Sequence, residues 1–244
     1  MILAIDIGNT SIKIAAIDHL TVHKIVRTEI NFFKQEIKSF KQSFLNITEV
    51  AYCNVSVFPD HLLAYLNANF DTVFEVNSKV QLPFNNHYKS LTLGNDRIAL
   101  VAGGLFVEAS NAPLLVIDAG TCVTYDFIDS LKNYKGGAIS PGLQLRYKSL
   151  HNFTANLPLL QPQHIDYITG NNTETSIHSG VIKGLTLEIK GVIETYTEKY
   201  QDLKILMTGG DSELLVKQLK NRFFATPFLM LYGIYNLYQF NKNL

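Results

Sequence analysis

One motif occurs twice in this chain. Ile2-Leu3-Ala4-Ile5-Asp6-Ile7-Gly8-Asn9-Thr10 is an apolar run that ends in Ile-Asp-x-Gly and a hydroxyl residue, and a second apolar run follows it. Leu114-Leu115-Val116-Ile117-Asp118-Ala119-Gly120-Thr121, continued by Cys122 to Ile128, has the same form with a turn one residue tighter. β-formers punctuated by glycine read as hairpins. A repeat separated by about half the chain points to two related lobes rather than a solenoid. With 244 residues the chain is long enough for two compact lobes. No linker-like stretch divides them, so the boundary is expected around Ala109 to Pro113, giving lobes 1–110 and 111–244.

Around each hairpin the pattern alternates strand and helix. Strands are expected at Ile2–Ile7, Ile12–Ala16, Thr21–Arg27 and Val50–Val55, with helices at Asn31–Leu45, His61–Phe70 and from Asp96 to Val107. The second half continues with a strand near Tyr134–Ile139 and a helix after Pro141-Gly142. One long helix is then expected over Thr173–Lys199, a strand at Leu203–Met207, and helices at Asp211–Leu219 and Phe228–Phe240. Strands alternating with helices in both halves make this an α/β chain.

Composition removes several classes of function. Lys plus Arg is 21 and Asp plus Glu is 21, whereas a protein that grips a nucleic-acid backbone carries a basic excess. Hydrophobic residues are 47% and charged residues 17%, against about 25% charged in ordinary domains, so much surface is expected to be covered, as in a dimer. Cys53 and Cys122 sit in apolar runs and offer neither a disulfide framework nor zinc spacing. The start Met1-Ile2-Leu3 has no basic leader, and a cytoplasmic location is expected. The charge-free run from Phe223 to Asn241 is interrupted by Pro227, Gly233, Asn236 and Gln239; it reads as a buried helix, not a membrane span.

The chemistry-bearing residues cluster in short motifs. In Asp6-Ile7-Gly8-Asn9-Thr10-Ser11-Ile12-Lys13, glycine lets a phosphate approach the backbone. Thr10 and Ser11 offer hydroxyls, and Lys13 falls on the face of Ser11. Asp6 is placed to hold a metal or its water shell. An ordinary hairpin with a polar tip would read the same way, but Asp118-Ala119-Gly120-Thr121 presents the same chemistry again. Two such hairpins facing each other would bracket a polyphosphate and its cation. Gly94-Asn95-Asp96-Arg97 opens an apolar helix. It reads either as a helix cap or as a general base beside a cationic anchor for an anionic substrate. Gly136-Gly137 and Thr208-Gly209-Gly210-Asp211 read as close-approach backbone or as tight turns. The seven histidines show no ligand spacing. No P-loop and no dinucleotide fingerprint is present.

Taken in order, these motifs resemble the type III pantothenate kinases. The matching series is Asp6-x-Gly8-Asn9-Thr10-Ser11-x-Lys13, Gly94-x-Asp96-Arg97, Asp118-x-Gly120-Thr121, Gly136-Gly137-x-Ile139-x-Pro141-Gly142 and Gly170-x-x-Thr173. The resemblance implies two ribonuclease-H-like lobes of the actin- and hexokinase-like phosphotransferase fold. It also implies phosphorylation of the primary hydroxyl of pantothenate by ATP, the first step of coenzyme A biosynthesis. Asp6, Ile7, Gly8, Asn9, Thr10, Ser11, Ile12, Lys13 and Thr121 would then bind ATP, with Asp96 as the base. Tyr88, Gly94, Asn95, Asp96, Arg97 and Thr173 would line the pantothenate site. Asp118 would bind a monovalent cation, potassium or ammonium, and magnesium would accompany ATP. A homodimer would complete the pantothenate site, with Thr173 contributed across the interface. The spacing from Tyr88 through Leu91-Thr92-Leu93 to Gly94 is one residue shorter than the family's pattern. The alternatives are another small-molecule kinase of this fold, acting on a sugar or hydroxy acid, and a catalytically silent ligand-binding regulator.

Overall fold

The structure is a computed structural model and describes residues 1–90, 92–219 and 225–242. Leu91 and Phe223, which figure in the motif spacing and the charge-free run, lie outside the described residues. In chain order the first elements are strands β1 (Ile2–Ile7), β2 (Ile12–Asp18) and β3 (Thr21–Thr28), helix α1 (Phe33–Ser43), β4 (Glu49–Asn54) and α2 (Asp60–Asn69). Then come β5 (Thr72–Val76), the two-residue β6 (Asn85–Asn86) and α3 (Asn95–Val107). The second set is β7 (Leu114–Ala119), β8 (Cys122–Ile128), β9 (Asn133–Pro141), α4 (Leu143–Asn152), α5 (Thr173–His178), α6 (Gly184–Lys199), β10 (Lys204–Thr208) and α7 (Ser212–Leu219). Helix α8 (Leu229–Lys242) closes the described chain.

The chain divides into two units. One holds residues 1–110 together with 228–244, the other 111–227. In the first the sheet order is β3-β2-β1-β4-β5, with β1, β2 and β3 an antiparallel meander and β1, β4 and β5 parallel. In the second, β10-β7-β8-β9 repeats the scheme, with β7, β8 and β9 antiparallel and β10 parallel to β7. The doubled Ile-Asp-x-Gly motif is thus the first hairpin of a doubled sheet.

Alternation along β1 and β2 explains how the first sheet is buried on both faces. Leu3, Ile5, Ile7, Ile12 and Ile14 point to one side and pack on Phe33, Ile37 and Phe40 of α1 and on Leu62 and Leu66 of α2. Helices α3 and α8 cover the other side, and they cross at glycines. A Cβ on Gly233 would lie 1.8 Å from the Ala99 carbonyl oxygen, and one on Gly103 would lie 2.2 Å from that of Leu229. The Asn236 side chain caps this contact by donating to the Ala102 carbonyl at 3.0 Å. This crossing is why the last helix joins the first unit, where the sequence reading had placed it with the second lobe. Gly233→Ala is expected to lower stability by roughly 1–3 kcal/mol through overpacking, with unfolding in denaturant as the measurement.

The second unit's core joins Leu115, Ile117, Val123, Tyr125 and Phe127 of its sheet to Tyr147 of α4, Ile182, Leu185 and Ile189 of the long helical run, and Leu215 of α7. That run is not one α-helix as expected. A π-helical turn, Ser179–Lys183, separates α5 from α6. Gly180 and Gly184 lie at this point, and glycine weakly resists a change of helical winding.

Candidate active site

In the first unit the candidate site forms where β1 and β4 end. These parallel strands are in register, with Asp6 opposite Cys53 and Ile7 opposite Asn54, and α/β sheets commonly place ligands at such carboxyl ends. Between β1 and β2 the chain turns over Gly8–Ser11, closed by the Gly8 N–H donating to the Ser11 carbonyl at 3.2 Å. Ile7 and Ile12 anchor the turn in the core, while Asn9 and Thr10 are exposed. Asp6 is 8% exposed, and Lys13, its neighbour in register, donates to it at 3.1 Å. A cavity of about 460 Å³ lies over the turn and is lined by Ile7 to Ile12 with Glu29, Ile30, Ser56 and Val57.

The start of α3 is attached to the same strand ends. The Asn95 side chain donates to the Asn54 carbonyl at 3.4 Å. Gly94, not Asp96, is the N-cap, and it has no side chain to cap with. Asp96 stands half-buried in the first turn, its Oδ1 accepting the Arg97 N–H at 2.8 Å. Its carboxylate folds back over Gly94, where a Cβ would lie 2.4 Å from that oxygen. Arg97 is only 5% exposed, with its guanidinium carbon 5.5 Å from the centre of the Tyr88 ring, a cation–π placement. Burial pushes the Cys53 thiol well up, and the nearby carboxylates of Asp6, Asp96 and Glu75 push it further. Cys53 is therefore an inert core thiol. The structure brings together Asp6 to Lys13, Asn54, Asn95, Asp96, Arg97 and Tyr88.

The second unit builds its own turn. The Gly120 N–H donates to the Cys122 carbonyl at 3.0 Å, leaving Thr121 exposed at the tip. Two glycine segments seat it from below. The Gly142 N–H donates to the Thr121 carbonyl at 3.1 Å, and a Cβ there would be 2.2 Å from the Gly120 oxygen. Gly209 has φ of +99°, and a Cβ on it would be 2.4 Å from the Ala119 backbone and 2.5 Å from Asp118 Oδ1. The Asp211 N–H then donates to the Ala119 carbonyl at 2.9 Å. Gly137 serves the sheet instead, since a Cβ on it would fall 1.5 Å from the Tyr125 carbonyl oxygen on β8. Gly209→Ala is expected to cost about 1–2 kcal/mol from φ alone, with the clash against Asp118 added, as read by thermal unfolding.

Thr173 is exposed on the first turn of α5, after Asn172, which forms a capping box with Thr175. Gly170 is demanded by packing, because its Cβ would be 2.3 Å from the Ser176 nitrogen. Residues the motifs did not reveal also line the first hairpin: Arg27, Glu29, Ser56 and Val57. None of these was within reach of counting along the sequence: the β2–β3 register shifts by one residue between Ala16 and Ile17, and that shift sets Arg27, in place of Val26, opposite Lys13. Among the described residues no three His, Cys, Asp or Glu side chains gather to hold a metal ion, and no helix is long and apolar enough to cross a membrane.

Two units that repeat one mixed-sheet plan, each with an Asp-x-Gly hairpin at its first strand end, define an actin- and hexokinase-like phosphotransferase fold. A solved structure from Campylobacter jejuni, whose name proposes a Baf family transcriptional activator, shares it with a TM-score of 0.65 and 23% identity, covering 99% of this chain and 100% of that one. So does a Listeria monocytogenes protein whose name proposes an N-acetylmannosamine kinase, with a TM-score of 0.52, 14% identity and 98% of both chains covered. The family model described as type III pantothenate kinase matches residues 2–195. The type III pantothenate kinase of Flavobacterium psychrophilum is 40% identical over 243 residues, covering 99% of this chain and 100% of that one. That of Christiangramia forsetii is 41% identical over 244 residues, 99% of both. The chain belongs to the type III pantothenate kinase family.

Proposed function

We propose that the chain phosphorylates the primary hydroxyl of pantothenate with ATP, and that the cluster at the ends of β1 and β4 carries the chemistry. The observation that supports this most is that the Asp6–Lys13 pair stands at the end of β1 while the α3 start that carries Asp96 and Arg97 is tied to the neighbouring end of β4, where the Asn95 side chain donates to the Asn54 carbonyl. In this reading Asp6 to Lys13 hold the ATP phosphates: the turn amides and the Thr10 and Ser11 hydroxyls donate, and Lys13 supplies charge. Thr121 is assigned to ATP as well.

Asp96 takes the proton of the pantothenate hydroxyl as its oxygen attacks the γ-phosphorus in line. Its Oδ1 is engaged by the Arg97 N–H, which fixes the carboxylate and leaves Oδ2 for the substrate. Arg97, buried beneath Tyr88, pairs with the pantothenate carboxylate and so sets the hydroxyl's distance from phosphorus. Gly94, Asn95 and Thr173 complete the assigned pantothenate contacts.

ATP use implies a divalent cation, read here as magnesium, which neutralises charge on the transferred group when bound. A site with one carboxylate at the hairpin, Asp6, fits an ion that keeps phosphate and water as most of its ligands. Asp118 is assigned to a monovalent cation, potassium or ammonium. A homodimer with Thr173 reaching the partner's pantothenate is part of the same proposal, as is a cytoplasmic site of action.

The test is ADP release with ATP and magnesium across pantothenate, sugars and hydroxy acids, in potassium and in sodium. Pantothenate-dependent turnover that collapses in sodium is expected. Turnover only with another alcohol would replace the substrate, and ligand binding without turnover would favour a regulator.

A further inference from the structure

The β1–β2–β3 meander carries a row of charges across three strands. In register, Asp6 stands opposite Lys13, and Lys13 stands opposite Arg27 on the far side. Cross-strand partners share a face, so Lys13 and Arg27 are like charges set directly against each other, an arrangement that weakens a sheet on its own. Asp6 offsets one of them through its 3.1 Å contact with Lys13. The other positive charge turns toward the hairpin tip, where Arg27 Nε donates to Ser11 Oγ at 2.8 Å. Ser11 has one hydroxyl proton. With its oxygen accepting from Arg27, that proton is directed away from the guanidinium as a donor. Thr10, Ser11 and Arg27 line a cavity of about 540 Å³ beside the turn. Glu29 and Glu36 also line it, so the rim formed by Ser11 and Arg27 is its anion-attracting part.

We infer that Arg27 is a positioning residue for the phosphate hairpin. It holds the Ser11 hydroxyl as a donor to a nucleotide phosphate and adds the second positive charge beside Lys13. This inference rests on the reading that the first hairpin binds ATP. It also explains why the fold tolerates a like-charge pair, since bound polyphosphate would turn the repulsion into shared attraction.

The test compares wild type, Arg27→Gln, Arg27→Lys, Ser11→Ala and the double variant Arg27→Gln/Ser11→Ala. Steady-state kinetics would be measured for both substrates, with thermal unfolding of the nucleotide-free protein. Arg27→Gln is expected to raise the KM for ATP roughly tenfold, the scale of one charge-assisted hydrogen bond, while the KM for pantothenate stays unchanged. Because it relieves the repulsion with Lys13, its unfolding temperature is expected to equal or exceed that of wild type. Arg27→Lys should recover part of the affinity. In the Ser11→Ala background, removing Arg27 should cost clearly less than it does alone, since the two residues act as a unit. An unchanged KM for ATP, a loss explained by lower unfolding temperature, or full additivity would overturn the inference. Failure of the underlying reading would look different, because wild type itself would then show no ATP-dependent turnover.

Discussion

Asp96→Asn is expected to keep the fold and lose most turnover. A correctly placed base contributes about 10²–10⁴-fold, so kcat should fall by that factor. Asparagine has the same shape, and its oxygen can still accept the Arg97 N–H that Asp96 accepts at 2.8 Å. The KM for pantothenate and the unfolding temperature should therefore stay close to wild type. The split between kcat and KM matters because a helix-start role for Asp96 would act on stability instead. A variant with near wild-type kcat would show that Asp96 only organises the first turn of α3.

Arg97→Gln is the second large effect, and it should appear in a different constant. The guanidinium is 5% exposed and held under the Tyr88 ring, so a carboxylate that meets it does so with little water between. Removing one member of a buried charge pair costs about 2–5 kcal/mol, or roughly 30- to 5,000-fold in kcat/KM. The loss should fall on pantothenate and leave the KM for ATP unchanged. Arg97→Lys should recover only part of it, because an ammonium cannot form the two parallel hydrogen bonds of the guanidinium. Equal losses for both substrates would mean that the variant disturbs the strand end as a whole.

Much of this fold was legible because its strongest signals are local. The β-forming run Ile2–Ile7, the alternation of Ile12, Ile14 and Ala16, the turn glycine at Gly8 and the second copy at 114–128 each depend on neighbours a few residues away, and the antiparallel hairpin of each sheet follows from them. What was missed depends on distant contacts. The strand Thr72–Val76 is only five residues long and owes its place to parallel pairing with β4. The last helix reads as buried, but which unit it covers is decided by the crossing of Gly103 and Gly233, more than a hundred residues apart. The π-turn at Ser179–Lys183 leaves the helical periodicity almost unchanged and so is hidden in a single sequence.

The candidate site divides in the same way. Asp6 to Lys13 and Gly94 to Arg97 are contiguous motifs with their own turn and helix-start chemistry, and they could be found by reading along the chain. Arg27 could not be found as a motif, because its meaning comes from its position opposite Lys13 and its contact with Ser11. Thr208-Gly209-Gly210-Asp211 reads equally as backbone open to a close approach or as a tight turn, and the structure decides between them: a Cβ on Gly209 would meet the Ala119 backbone and Asp118, and one on Gly142 would meet the backbone of Gly120 and Thr121. They support the turn from behind.

In the proposed reaction this chain moves a phosphoryl group from ATP to the primary hydroxyl of pantothenate, with Asp96 as the base. Phosphorus NMR of the reaction mixture tests it most directly. With wild type, a new phosphomonoester signal split by two methylene protons should grow as ADP forms, and with Asp96→Asn it should grow at least a hundredfold more slowly. ADP that forms without that signal, or a signal that grows equally fast with both proteins, would contradict the account.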